Sequence, residues 1–174
     1  MRVNGRPARI VVMGVTSTGK SRIGARLART LGLPFVDGDD LHPQRNRDKM
    51  AGGTPLDDVD RRPWLDRIGA TLAERPRVVA CSALRRRYRD RIRRAAPDTL
   101  FVHLHGPRDL IAARMAAREG HFMPVSLLDS QLATLEMPGR GERTVRADLR
   151  DTPLRIVGGV IEALRRPAKA RDRR

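Results

Sequence analysis

Gly14-Val15-Thr16-Ser17-Thr18-Gly19-Lys20-Ser21 matches the pattern G-x-x-x-x-G-K-[ST] at every fixed position. The spacing has a physical reason. Glycines let the backbone curl until successive N–H groups point at phosphate oxygens. A helix starting at the end of such a loop adds partial positive charge where the anion sits. All eight residues are therefore candidate nucleotide-binding positions. Within them, Lys20 is the group to reach the β- and γ-phosphates and the Ser21 hydroxyl the group to bind Mg²⁺. This is nucleoside triphosphate chemistry, and the loop alone leaves the reaction open.

Asp37-Gly38-Asp39 follows a short apolar run. In an open α/β sheet, ligands bind beyond the carboxyl ends of the strands, so two carboxylates there suit two tasks. Of Asp37 and Asp39, one can help organise Mg²⁺ through water and the other can accept the proton of an attacking hydroxyl. The same triplet also suits an Asx turn that caps a helix. Residues 42–50 (HPQRNRDKM) are dense in donors and cations and could clasp a polar anion, or form a solvated helix face. Arg114, Arg118 and His121 flank Gly120, which fits a lid that closes over ATP and neutralises charge on the moving phosphoryl group, or ordinary arginines on a helix surface. His103 and His105 share a strand face, but no Cys or carboxylate nearby completes a metal site, so they are read as structural. Cys81 ends an apolar run and reads as a buried apolar residue rather than a nucleophile.

The elements that must position these groups are legible in the hydrophobic pattern. Residues 9–13 (RIVVM) read as a buried strand leading into the loop, and Ile23, Leu27 and Leu31 mark one face of the helix after it, stopped at Gly32. Further strands are predicted over 34–36, 78–81, 99–104 and 144–148. Further helices are predicted over 63–74, 83–96, 108–118, about 127–135 and 154–164, while 41–60 reads as polar and turn-rich. Strands alternating with helices at this pace imply an α/β fold, with a central parallel five-stranded sheet flanked by helices. The chain has 174 residues, which favours one domain. We expect a single unit over 1–164, with a mobile lid around 118–126 and a basic, disordered tail over 165–174.

Composition narrows the function classes. Lys+Arg is 36 against Asp+Glu 20, a net charge of +16, which raises nucleic acid as a partner. The excess is almost all Arg spread along the chain, and aromatics are only 3%, which leaves few base-stacking platforms and speaks against nucleic acid. Lys occurs only at 20, 49 and 169, and two of the three fall inside the motifs above, consistent with a chemical requirement. One cysteine permits no internal disulfide, and the apolar stretch near Met1 is too short for a secretory core, so a cytoplasmic location is expected. No run is long enough for a membrane span.

Taken together, the segments resemble the gluconate kinase (gluconokinase) family of P-loop kinases, which is similar to the shikimate and nucleoside monophosphate kinases. The resemblance covers roughly 9–164 and is carried by Asp37-Gly38-Asp39-Asp40-Leu41-His42-Pro43, Asn46 with Lys49-Met50, Gly53 through Asp58, and Asp60-Arg61-Arg62-Pro63-Trp64-Leu65. It continues in Cys81-Ser82-Ala83-Leu84-Arg85, Tyr88-Arg89, Arg118 through Phe122 and Gln131 through Pro138. It implies transfer of the γ-phosphate of ATP to D-gluconate with Mg²⁺, a P-loop NTPase fold with a lid, and often a homodimer. By position it makes Lys20, Asp39 and Arg118 catalytic, Arg114 and Arg118 ATP-binding, and His42, Arg45, Lys49, Arg61, Ser82 and Arg85 candidates to hold the sugar acid with Asp39. The alternatives are a kinase of the same fold acting on another hydroxy acid such as shikimate, and a nucleic-acid-binding protein with a vestigial P-loop. The chain departs from the family pattern at Ser17 and Thr18, where glycine and serine are usual, and at Leu132 and Ala133, where an aromatic and an acid are more common.

Overall fold

Continuous burial along short β-branched runs decides the architecture. In the computed structural model, which describes residues 2–3, 6–117 and 125–165, strand β3 (Arg9–Met13) lies at the centre of a five-stranded parallel sheet. Its neighbours are β5 (Arg77–Ala80) and β6 (Leu100–His105), with β4 (Phe35–Asp37) and β7 (Thr144–Asp148) at the edges, in the order β4-β5-β3-β6-β7. Val11 pairs in register with Val79 on one side and Phe101 on the other. A central parallel strand is buried on both faces, which explains why its run is continuously apolar rather than alternating. A separate antiparallel pair, β1 (Arg2–Val3) with β2 (Arg6–Pro7), precedes the sheet and has no counterpart in the sequence-based expectation.

Helices cover both faces. Ile10, Val12, Val78 and Val102 pack with α1 (Lys20–Leu31), α5 (Arg108–Ala116), α6 (Val125–Thr134) and α7 (Pro153–Arg165) through Leu27, Ile111, Leu128 and Val157. Val11, Met13, Val79 and Phe101 pack on the other face with α3 (Asp58–Glu74) and α4 (Arg86–Ala95) through Trp64, Ile68, Tyr88 and Ile92.

Three local outcomes differ from the sequence reading. The segment 41–60 is largely ordered structure. A 3-10 turn spans Gly38–Leu41, and α2 spans Gln44–Ala51. Met50 is the only large apolar side chain in α2, so periodicity gives no signal; the helix is instead anchored by fully buried Asn46, whose Nδ2 donates to the Asp60 carbonyl at 2.8 Å. Helix α3 starts at Asp58 rather than Pro63, because Asp57 and Asp60 form a reciprocal capping box that satisfies the first backbone donors. Helix α4 starts at Arg86 rather than Ala83, since Ala83 adopts a positive φ of 43°. The expected lid, including Arg118 and His121, lies outside the described residues over 118–124, as does the expected tail from 166 onward.

Candidate active site

The carboxyl ends of β3, β4 and β5 open onto one cavity of about 630 Å³. Thr16, Ser17, Gly19, Lys20, Ser21, Asp37, Asp39 and Arg114 all line it, with Ala80 and Cys81. The phosphate-binding loop and the acidic triplet, 16 residues apart in sequence, are thus brought to one wall.

Two glycines make this approach possible. Gly14 has φ 148°, and a Cβ there would stand 2.7 Å from the Leu104 carbonyl oxygen. A Cβ on Gly38 would stand 2.3 Å from the Ala80 carbonyl oxygen. Any larger residue would push the loop off β6 or the acidic turn off β5. The Gly38 carbonyl in turn accepts from Trp64 Nε1 at 2.6 Å, tying the turn to α3. Ser17, where the family usually carries glycine, sits in the left-handed region at φ 58°, a backbone choice that disfavours a Cβ.

Within the loop, the Val15 carbonyl accepts from Thr18 Oγ1 and from Lys20 Nζ, each at 2.8 Å. Ser21 Oγ donates to Asp37 Oδ2 at 2.6 Å, while Asp37 Oδ1 accepts the Asp39 N–H at 3.1 Å. The two sequence readings of Asp37 are therefore compatible: it caps the 3-10 turn and also faces the Ser21 hydroxyl. A hydroxyl and a carboxylate oxygen this close form a hard-oxygen pair that fits Mg²⁺, which is usually held by one or two protein groups together with water and phosphate oxygens. Among the described residues no group of three or more His, Cys, Asp and Glu gathers to hold a metal.

Asp39 is open to solvent yet recessed in the cavity. Enclosure by protein and the Asp37 carboxylate push its carboxyl above the ordinary 3.8; Lys20 pulls it back, and Asp40 adds to the rise. Cys81 is 1% exposed, and burial pushes its thiol up to about 12, so it is an inert wall residue. Arg114 reaches the cavity with Nη2 donating to the Leu149 carbonyl at 2.7 Å.

A second group of cations gathers round the start of α3. Lys49 Nζ pairs with Asp60 Oδ2 at 2.5 Å. Arg85 Nη1 lies 3.4 Å from Asp58 Oδ2, and Arg87 and the Tyr88 hydroxyl also bond Asp58. Arg61 stands 5.9 Å from the centre of the Tyr88 ring and donates to the Leu56 carbonyl. Ser82 joins the two regions, because its carbonyl accepts the Gly14 N–H at 3.4 Å.

His42, Arg45, Lys49, Arg61, Ser82 and Arg85, all expected at the substrate, lie outside the lining of this cavity. His42 is 5% exposed and stacks on Trp64 with ring centres 4.3 Å apart; burial, with Arg61 and Arg47, lowers its pKa from 6.5 to about 4. Arg45 is exposed on α2 and is not part of the cavity wall.

Sequence reasoning assigned no role to Asp58, Asp60, Tyr88, Gln131 or Glu136. Gln131 Oε1 accepts the Thr16 N–H at 2.7 Å, and Glu136 Oε2 accepts the Arg86 N–H at 2.6 Å. All five lie in segments that carry the family resemblance, and the Asp57-x-x-Asp60 spacing is a further signal, as a helix start. The basic α4 helix is also explained by internal partners. Arg85, Arg86, Arg87, Arg89, Arg91 and Arg93 all form ion pairs with acids of the chain.

Comparison with known proteins bears on the same regions. A family model described as Shikimate kinase matches residues 16–137. The gluconokinase of Gluconobacter oxydans is 44% identical over 172 residues, covering 96% of this chain and 94% of that protein. The thermosensitive gluconokinase of Escherichia coli is 45% identical over 145 residues, covering 80% and 78%. The crystal structure of a gluconokinase from Sinorhizobium meliloti superposes with a TM-score of 0.84 at 49% identity, covering 94% of this chain and 93% of that one.

Proposed function

Because this chain belongs to the gluconokinase family, within the wider shikimate kinase fold family, we propose that it transfers the γ-phosphoryl group of ATP to D-gluconate, giving ADP and 6-phospho-D-gluconate. The observation that carries the reading is the shared cavity wall. Lys20 and Ser21 of the donor loop face the same space as Asp37 and Asp39 of the acidic turn.

The roles follow from charge and reach. The loop amides and Lys20 bind the phosphates and stabilise the negative charge spread over the transferring group. Asp39 orients the primary hydroxyl of the sugar acid and takes its proton as the new O–P bond forms and the bond to ADP breaks. Its raised pKa makes it a better proton acceptor. Ser21 and Asp37 hold Mg²⁺, which neutralises phosphate charge when bound. Arg114 flanks the nucleotide, and Arg118, by its place in the motif, adds charge to the transferring phosphoryl group. Lys49, Arg61, Ser82 and Arg85 supply the donors for the carboxylate and hydroxyls of the acceptor, with Asp60 holding Lys49 and Asp58 holding Arg85 in place.

A cytoplasmic location and a homodimer belong to the same reading. Support for the first is the single, buried, free Cys81; the second rests on the family resemblance. Among the described residues, no helix is long and apolar enough to cross a membrane. Phosphorus NMR of the product tests the reaction. A new phosphomonoester on the C6 oxygen is expected. ADP with inorganic phosphate, and no new phosphomonoester, would contradict transfer.

A further inference from the structure

The donor loop and the Ser82–Arg86 turn meet the same short piece of chain. At one end of residues 131–136, Gln131 Oε1 accepts the Thr16 N–H at 2.7 Å. At the other end, the Glu136 N–H donates to the Leu84 carbonyl at 2.9 Å and Glu136 Oε2 accepts the Arg86 N–H at 2.6 Å. The Arg86 contact caps the start of α4, where Arg85 offers no side-chain cap of its own.

The segment is held firmly between those ends. Leu135 packs against both cores, which lie on opposite faces of the sheet. Leu132 packs on one of them, and Leu128, one turn earlier in α6, is fully buried. Asp129 pairs with Arg108 of α5 through two bonds of 2.7 and 3.0 Å. A segment fixed in this way can transmit position from one contact to the other.

We infer that Gln131 and Glu136 are positioning residues: together they hold the phosphate-donor loop and the turn bearing Ser82 and Arg85 in one register. Neither touches the reacting atoms. Gln131 fixes the amide of the first cavity-lining loop residue, and Glu136 fixes the backbone beside Arg85. Phosphoryl transfer needs the donor and acceptor groups in line, so slack of the order of 1 Å between these two pieces is expected to cost rate without abolishing either binding event. This inference rests on the proposed kinase reaction for its effect on turnover, but its structural content does not.

The test has two arms, on the full-length protein. In the first, amide hydrogen exchange is followed in the absence of ligand for the wild type, Gln131→Ala and Glu136→Ala. Each variant should speed exchange at its own partner by a few-fold to about tenfold, as expected for one lost hydrogen bond. The deciding observation is across the segment: Glu136→Ala should also speed exchange at Thr16. Glu136→Gln, which keeps an acceptor oxygen, should restore it. In the second arm, steady-state turnover with gluconate should fall up to about tenfold in each single variant. The double variant should fall by less than the product of the two, since both break one unit. Unchanged Thr16 exchange in Glu136→Ala, or strictly multiplicative losses in the double variant, would overturn the inference. A wild type that exchanges as described but shows no gluconate-dependent turnover would instead count against the substrate reading, leaving the strap in place.

Discussion

Ser21 Oγ donates to Asp37 Oδ2 across 2.6 Å, joining the last residue of the phosphate loop to the end of strand β4. This one contact closes the nucleotide side of the cavity onto its acidic side. It also places the two oxygens that the proposed reaction assigns to Mg²⁺.

If that assignment is right, the two residues share one metal-dependent phenotype. Ser21→Ala and Asp37→Asn should each raise the Mg²⁺ concentration needed for half-maximal rate by on the order of 10- to 100-fold. Excess Mg²⁺ should recover much of the lost turnover. A titration of initial rate against Mg²⁺ at saturating ATP makes the comparison. Equal loss at every Mg²⁺ concentration would remove the metal role from the pair.

Asp39 gives the opposite signs for activity and stability. Its carboxyl is raised above 3.8, chiefly by enclosure and then by Asp37, so the folded state holds the proton more tightly than the unfolded chain does. That contribution to stability is full below 3.8 and is lost as pH rises through the folded value, so ionised Asp39 costs the fold something at neutral pH. Asp39→Asn should therefore melt slightly higher at neutral pH, yet lose on the order of 10²- to 10⁴-fold in kcat with little change in ATP affinity. In the wild type, the acid limb of kcat/KM should lie above the range of an ordinary aspartate and should be absent from the residual activity of the variant. A variant that keeps near-wild-type turnover would end the proton-acceptor role.

The buried histidines set the acid stability. His42 and His103 are 5% and 1% exposed, and burial, with nearby cations, lowers each from 6.5 to about 4. In the unfolded chain both take up a proton near 6.5, while the folded chain resists until about 4. Stability is thus full above 6.5 and falls as the pH drops through that window, by up to about 1.4 kcal/mol per pH unit for each histidine. Urea unfolding at several pH values between these limits measures the slope. His103→Gln should flatten it. A stability that stays level across the window would show that neither ring is held neutral by the fold.

How much of this was legible in the sequence depends on what each element is made of. Strands β3, β5 and β6 are continuous apolar runs, and α1 repeats Ile23, Leu27 and Leu31 on one face, so periodicity located them closely. The loop and Asp37-Gly38-Asp39 were readable because phosphate and proton chemistry restrict which residues can serve. Helix α2 was hidden because polar contacts, centred on Asn46, hold it rather than an apolar face. The stacking of His42 on Trp64 leaves no periodic trace, because a motif fixes neighbourhood and not direction. Arg89, in a helix whose sequence is mostly arginine, is fully buried, bonds the Ala83 and Leu84 carbonyls, and pairs with Glu142 at 2.6 Å. Such long-range polar partners leave no periodic trace. Gln131 and Glu136 were missed for the same reason, as their partners lie 115 and 50 residues away.

The most direct test of the central claim is steady-state ADP release with Mg-ATP, measured without acceptor, with D-gluconate and with shikimate. The account predicts strong stimulation by gluconate and little by shikimate. Stimulation by shikimate alone, or no stimulation by gluconate above the acceptor-free rate, would contradict it.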